Sequence, residues 1–423
     1  MNISIHYRVI VLYLLSSIMV IMIAFETTDV MADDKASTLC EKKLEIKPVE
    51  IAACKDGQSE SADCKTNIKA LSESASTLCA QSANLVKTKQ GVPDSPAFAI
   101  LGLKPETVVR PKTPEDLAVS FLNAIDAAGH GQQGFAVDFI PYLVFAGKSA
   151  TLQDYQQSRW TRLFSNTQVS LAYAAGQNKA DESRRFAFGV HITPWLADDP
   201  RMNRDHIVCL AKVATSALAK SSPVPELLPG QDEDALNEAQ RLRLVDGAKD
   251  CRAVNESQHW DDSAWTVGIT PAWKSLTGKA DDLNFDGLAL WSSLALKLGN
   301  RDAATDRGSL VAHVKYRLDE EIPGTASASA ATDKQNSLIL AGRYEFGRAN
   351  FNFALETSYI NVYRMLAQDD DYLQFAAGLN YRLLKSDFWL RGSVGRTSGR
   401  ATADETVFGL TLAWGNNEIP LFN

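Results

Sequence analysis

Through the C-terminal two thirds of this chain, apolar and polar residues alternate one for one. In GSLVAHVKYRL (308–318), Leu310, Ala312, Val314, Tyr316 and Leu318 share one face, and Ser309, Val311, His313, Lys315 and Arg317 share the other. A period of two marks a β-strand, because successive side chains leave opposite faces of the pleat. The pattern recurs over 117–126, 135–147, 160–175, 184–195, 263–275, 285–299, 308–318, 336–347, 351–363, 372–384, 387–397 and 406–415. Strands this long and even in number suit an all-β fold, an antiparallel transmembrane β-barrel of about 12 strands of the kind that crosses a bacterial outer membrane.

Strand five supplies a ruler. Trp265, Val267, Ile269, Pro271 and Trp273 share a face. The two tryptophans stand about 26 Å apart along an extended strand, which tilting reduces to roughly the height of an apolar membrane band. Trp265, Trp273, Trp389 and Trp414 are the candidate aromatic girdle. A soluble β-sandwich with core tryptophans fits less well, since its strands are usually shorter. Pro141 and Pro271 cannot donate a ladder hydrogen bond, so each should mark a bulge or a strand end.

The first 32 residues read as a secretory signal peptide. Arg8 supplies the positive start, Val9 to Phe25 the apolar core, and Val30-Met31-Ala32 the small residues at a cleavage site. The rival reading is an uncleaved anchor helix. Exported chains favour disulfides, and six cysteines are present. Within 33–90, two near-equal helical arms around Asp56-Gly57 and a Ser-rich turn would bring Cys40 beside Cys79 and Cys54 beside Cys64, a disulfide-stapled helical hairpin. Residues 91–116, rich in Pro and Gly, read as a linker.

The segments SPAFAILGLKPETVVRPKTPEDLAVS (95–120), WTVGITPAW (265–273) and LWSSLA (290–295) resemble a family of uncharacterised bacterial outer-membrane β-barrel proteins. The resemblance covers about 95–415 and implies the barrel; it implies no activity. The barrel is then 117–415, with a helical insert at 196–262 and a tail at 416–423. The insert reads as helices 201–219 and 231–252, with Cys209 and Cys251 meeting across the pair. His206, Cys209, Cys251 and His259 as a zinc site is the weaker alternative, because their spacing matches no compact motif. Short turns at Arg348-Ala349-Asn350 and Lys385-Ser386 point to the periplasm, and the insert emerges at the same end. The hairpin and insert are therefore expected in the periplasm.

Inward-facing candidates from the alternation are Asp138, Arg162, Arg185, His191, Lys297, His313, Lys315, Arg317, Arg343, Glu345, Glu356, Arg382, Asp387 and Arg391, in which basic groups outnumber acidic ones. An open lumen would then favour small anions, making the chain a narrow passive pore. The alternative is a closed structural or docking barrel, its interior filled by ion pairs such as Arg343 with Glu356 or plugged by the periplasmic helices. A twelve-strand barrel lies between the filled and open sizes. A wall-embedded phospholipase is the third reading, disfavoured because His191 and His313 point inward. No metal motif, cofactor motif or paired catalytic acids appear, and no catalytic residue is assigned. The net charge of −8 without a basic run argues against nucleic acid. Expected partners are outer-membrane lipid, the outer-membrane assembly machinery, to which ETVFGLTLAWG (405–415) presents its end, and a periplasmic protein at the insert.

Overall fold

A computed structural model of the chain describes residues 65–66, 69–70, 79–80, 95–97, 101, 108–110, 117–126, 131–142, 150–175, 183–197, 199–219, 250–251, 254, 262–275, 277–299, 307–321, 334–364, 370–383, 388–399 and 405–416. Twelve antiparallel strands close into one barrel, each paired with its neighbours in sequence and β1 with β12. The strands are β1 Leu117–Asp126, β2 Gly131–Phe139, β3 Thr167–Ala175, β4 Arg184–Leu196, β5 Ala264–Ser275 and β6 Asn284–Lys297, then β7 Ser309–Glu321, β8 Lys334–Arg348, β9 Phe351–Arg364, β10 Asp370–Arg382, β11 Phe388–Gly399 and β12 Glu405–Asn416. Odd strands start, and even strands finish, at the end called proximal below; the opposite end is distal. Among the described residues, closure pairs every strand on both sides.

Alternation fixes which side faces in. Along β9, Phe351, Phe353, Leu355 and Tyr359 are exposed while Asn352, Ala354, Glu356 and Ser358 are buried. The outer wall thus carries large apolar side chains, and the inner wall small and polar ones. Aromatic rings gather on the outer wall toward both ends. At the proximal end Phe351 contacts Phe353 at 5.0 Å and Tyr381 at 6.3 Å, and Phe388 lies 6.5 Å from Trp414. Toward the distal end the pairs are Phe121–Phe135, Tyr173–Phe186 and Trp273–Phe285, at 5.3, 5.2 and 6.3 Å. An apolar wall bounded by two such belts is matched to hydrocarbon between two watery interfaces.

Two stretches differ from the sequence reading. The strand expected over 160–175 starts only at Thr167; before it lie the helices α1, Leu152–Gln157, and α2, Arg159–Ser165. Side-chain caps explain the change, since Thr151 accepts from the Asp154 N–H and Ser158 accepts from the Thr161 N–H. Arg162 therefore lies on a helix, where it donates to the Gln156 carbonyl, and does not line the wall. The strand expected over 135–147 runs from Gly131 to Phe139 and ends just before Pro141, as the missing N–H requires. Pro271 sits beside a bulge between Ala272 and Trp273, and β4 carries another between Ile192 and Trp195, around Pro194. No described helix is long and apolar enough to cross a membrane.

Helix α3, Arg204–Ala219, opens the insert after β4, and Cys209 is bonded to Cys251 across it with Cα atoms 5.9 Å apart. Both sulfurs are consumed, so the zinc alternative at His206, Cys209, Cys251 and His259 loses two of its ligands. Cys79 is buried and disulfide-bonded. Its partner, the expected Cys40–Cys79 and Cys54–Cys64 pairings, and the signal segment lie outside the described residues.

Candidate functional site: the barrel interior

The inward faces bring the lumen candidates into three groups. The first surrounds Trp291 on β6. Its ring lies across Gly268 of β5, where an added Cβ would sit 2.5 Å from ring atoms, so only glycine leaves room for the indole. His191 and His313 flank that ring at centroid distances of 5.9 and 6.2 Å. Each histidine is tied to a neighbouring strand: His191 Nε2 meets Gln168 Oε1 at 2.9 Å, and His313 Nδ1 meets Ser293 Oγ at 2.6 Å. This Ser–His pair is buried inside the barrel, away from the lipid face that a wall-embedded phospholipase would use.

The second group is an ion-pair chain on β8 and β9. Arg343 lies 2.8 Å from Glu345 and 3.9 Å from Glu356, and Ser358 Oγ donates to Glu356. Lys315, one strand over, is buried beside Ile339 in the ladder register. The third group is scattered. Lys297 pairs with Asp262 at 3.6 Å near the proximal end, and Arg317 with Glu320 at 2.5 Å near the distal end. Arg185 donates to the Leu101 carbonyl, and Arg391 is buried on β11. Asp138 accepts from Ser170 and Ser95 hydroxyls. Asp387 lies outside the described residues.

One girdle assignment is corrected. Trp389 is only 2% exposed and faces inward, with the Arg382 guanidinium 5.9 Å from its ring. Trp389 and Arg391 are two residues apart, so a regular strand must put them on the same side. Phe388, opposite Trp414 in the ladder, holds the girdle position instead. Trp273 and Trp414 face outward; Trp265 shares that face of the strand but is only 7% exposed, and its Nε1–H donates to Ser292.

Sequence reasoning did not foresee what occupies the interior. Ala97 and Leu101 are buried against Leu122, Ala136, Ala172, Ala174, Ala187, Ala272 and Ala289, all inward residues of β1 to β6. Val108 packs on Ala295 and Val311. Its backbone N–H donates to Glu356 Oε1 at 3.2 Å, and the Arg110 guanidinium reaches Glu345 at 2.7 Å. The partners also give the course. Ser95 meets Asp138 near the end of β2, the proximal side. Leu101 meets Arg185 near the start of β4, the distal side. Val108 and Arg110 return to Glu356 and Glu345 toward the proximal end. The described residues Ser95, Ala97, Leu101, Val108 and Arg110, called the strap below, thus all contact inward-facing residues of the barrel. The apolar run Ala97 to Leu101 was its only sequence signal.

A separate polar knot caps the proximal end. Arg201 is 0% exposed; its Nε and Nη2 donate to Asp199 and Nη2 also to Asn166, each at 2.8 Å, while its charge sits 3.9 Å over the Tyr155 ring. The Tyr155 hydroxyl donates to Asp199 at 2.5 Å and accepts from Asn166 Nδ2. Burial works to raise the Asp199 carboxyl, but the Arg201 charge and the bonds from Arg201 and Tyr155 outweigh it and hold it below the usual carboxylate range. Burial, with the Asp199 charge adding to it, pushes the Tyr155 phenol well up. The knot thus stays a charged Arg–Asp pair with a neutral tyrosine, binding α1 to the turn after β4. Among the described residues no group of His, Cys, Asp and Glu has the spacing of a metal site.

No family model matches this chain. No curated protein matches it. Among solved structures it is similar to the KdgM porin, at 8% identity over 70% of this chain and 98% of the other with a TM-score of 0.31. It is also similar to the NanC porin, at 10% identity over 70% and 98% with a TM-score of 0.33. A third is the β domain of the Bordetella autotransporter BrkA, at 8% identity over 72% and 100% with a TM-score of 0.31. At these scores the likenesses carry no argument. The barrel assignment rests on the ladder pairing of the chain itself.

Proposed function

We propose that this protein is an outer-membrane barrel that forms a porin-like path held shut by its own strap, through the inward contacts of Ser95, Ala97, Leu101, Val108 and Arg110. The strap's contacts with inward residues from β1 to β9 carry this reading. A standing pore would leave the charges on its wall facing water, whereas Arg343, Glu345 and Glu356 are buried and bonded to one another and to Val108 and Arg110. Withdrawal of the strap exposes Arg343, Lys315, Arg391 and Arg317 along the wall, and that positive lining favours small anions. The outer membrane is the setting that suits the apolar wall and its two belts. The insert and the cysteine hairpin sit on the periplasmic side in this reading, with the assembly machinery and lipid as partners.

Planar-bilayer recording is the test. The full chain should stay closed for most of the record. Arg110→Glu, which sets a negative charge against Glu345, should raise open time at least tenfold, if roughly 1.4 kcal/mol or more of the strap's hold is lost. The open state should prefer anions, and Arg317→Glu should weaken that preference. Equal, steady conductance in both proteins would refute the closed strap. The second reading, a non-conducting docking barrel, draws on the disulfide-tied insert; permanent closure of both proteins would favour it.

A further inference from the structure

The exposed rings of the β2–β3 connection have no role in the lumen. Trp160 and Phe164, one helical turn apart on α2, are 69% and 51% exposed. Their centroids lie 6.2 Å apart, and Tyr142 stacks on Phe164 at 6.4 Å with the planes 10° from parallel. Two rings open to water, with the half-buried Tyr142 stacked on one of them, would cost free energy for nothing, since stable soluble surfaces seldom keep such patches. The rings are also held rigidly. Ser158 caps α2, Thr167 Oγ1 donates to the Leu163 carbonyl where the helix meets β3, and α1 behind it is clamped by the Arg201 knot.

We propose that α2 is an interfacial foot, resting its Tyr142–Trp160–Phe164 stack at the acyl–headgroup boundary of a leaflet with anionic lipids at the proximal end. This rests on the membrane reading of the barrel wall. Three observations fix the occupant as lipid. The stack lies at the end of the barrel that also bears the Phe351–Tyr381–Phe388–Trp414 belt, so it continues that interface. Its residue types are those enriched at membrane boundaries, with an apolar body and, in Trp and Tyr, a polar tip. The helix RWTRLFS contains Arg159 and Arg162 and no acidic residue, in a chain of net charge −8. That local positive charge complements anionic headgroups.

The test places one fluorophore at a time on the full chain in vesicles of phosphatidylethanolamine and phosphatidylglycerol, with the native disulfides kept oxidised. Trp160→Cys reports the foot and Leu355→Cys the exposed barrel wall. A lipid nitroxide placed just below the headgroup should quench both labels. Replacing phosphatidylglycerol by phosphatidylcholine should reduce quenching at 160 and leave 355 unchanged. Quenching at 355 with none at 160 would put the foot in water and overturn the proposal while leaving the membrane barrel standing. Quenching at neither site would overturn both.

Discussion

Arg201→Met should loosen the proximal cap of the barrel by about 3–5 kcal/mol, the usual cost of removing one member of a buried ion pair. The substitution strips Asp199 of two charge-assisted bonds and leaves its carboxylate buried beside Tyr155. It also removes the partner of Asn166 Oδ1 and the cation over the Tyr155 ring. Because the knot joins α1 to the turn after β4, the loss should be local: limited proteolysis should cut within 150–204 while the strands stay protected. Arg201→Met combined with Asp199→Leu should recover much of the protection, since no unpaired charge is then buried. Equal protection of Arg201→Met and the native chain would contradict the role given to the knot.

Glu345→Ala should have an effect of similar size inside the barrel, again about 3–5 kcal/mol, because it takes the nearest carboxylate away from two buried guanidinium groups at once. Arg110 and Arg343 both bond to this carboxylate, at 2.7 and 2.8 Å, and Glu345 is 1% exposed. The strap loses its ionic anchor, and Arg343 keeps only the 3.9 Å contact with Glu356 among the ion pairs described here. Unfolding in urea should begin at lower concentration, and residues near 108–110 should become accessible to protease before the strands do. The converse substitution Glu345→Gln keeps the side-chain volume and one acceptor, so it should fall between the two. A midpoint unchanged in Glu345→Ala would mean that the strap is not anchored there.

The barrel was legible in the sequence because its signal is written on every second residue of twelve segments, and closure follows once each strand pairs with the next. What escaped followed from shared or ambiguous signals. Trp160, Arg162 and Phe164 keep both a period of two and the i, i+4 spacing of a helix, and only the caps Thr151 and Ser158 decide between them. Trp389 lies two residues from both Asp387 and Arg391, which the alternation placed inside, so its girdle assignment followed residue type against the period; burial and ladder pairing with β12 put it inside. The strap was hidden for a different reason. Its Pro and Gly content reads as a linker, and its partners lie far along the chain, Glu356 being 248 residues from Val108. The lumen residues were therefore readable one wall position at a time, but what fills the space between them was not.

The most direct measurement pairs Val108→Cys with Val311→Cys, two positions that pack together inside the barrel. In membranes from cells making the full chain, the two cysteines should form a disulfide under mild oxidation, detected by mass spectrometry of the digested protein. The linked protein should also stay closed in bilayers even when Arg110→Glu is added. Free alkylation of both cysteines by a water-soluble maleimide, with no disulfide formed, would show that the strap lies outside the lumen.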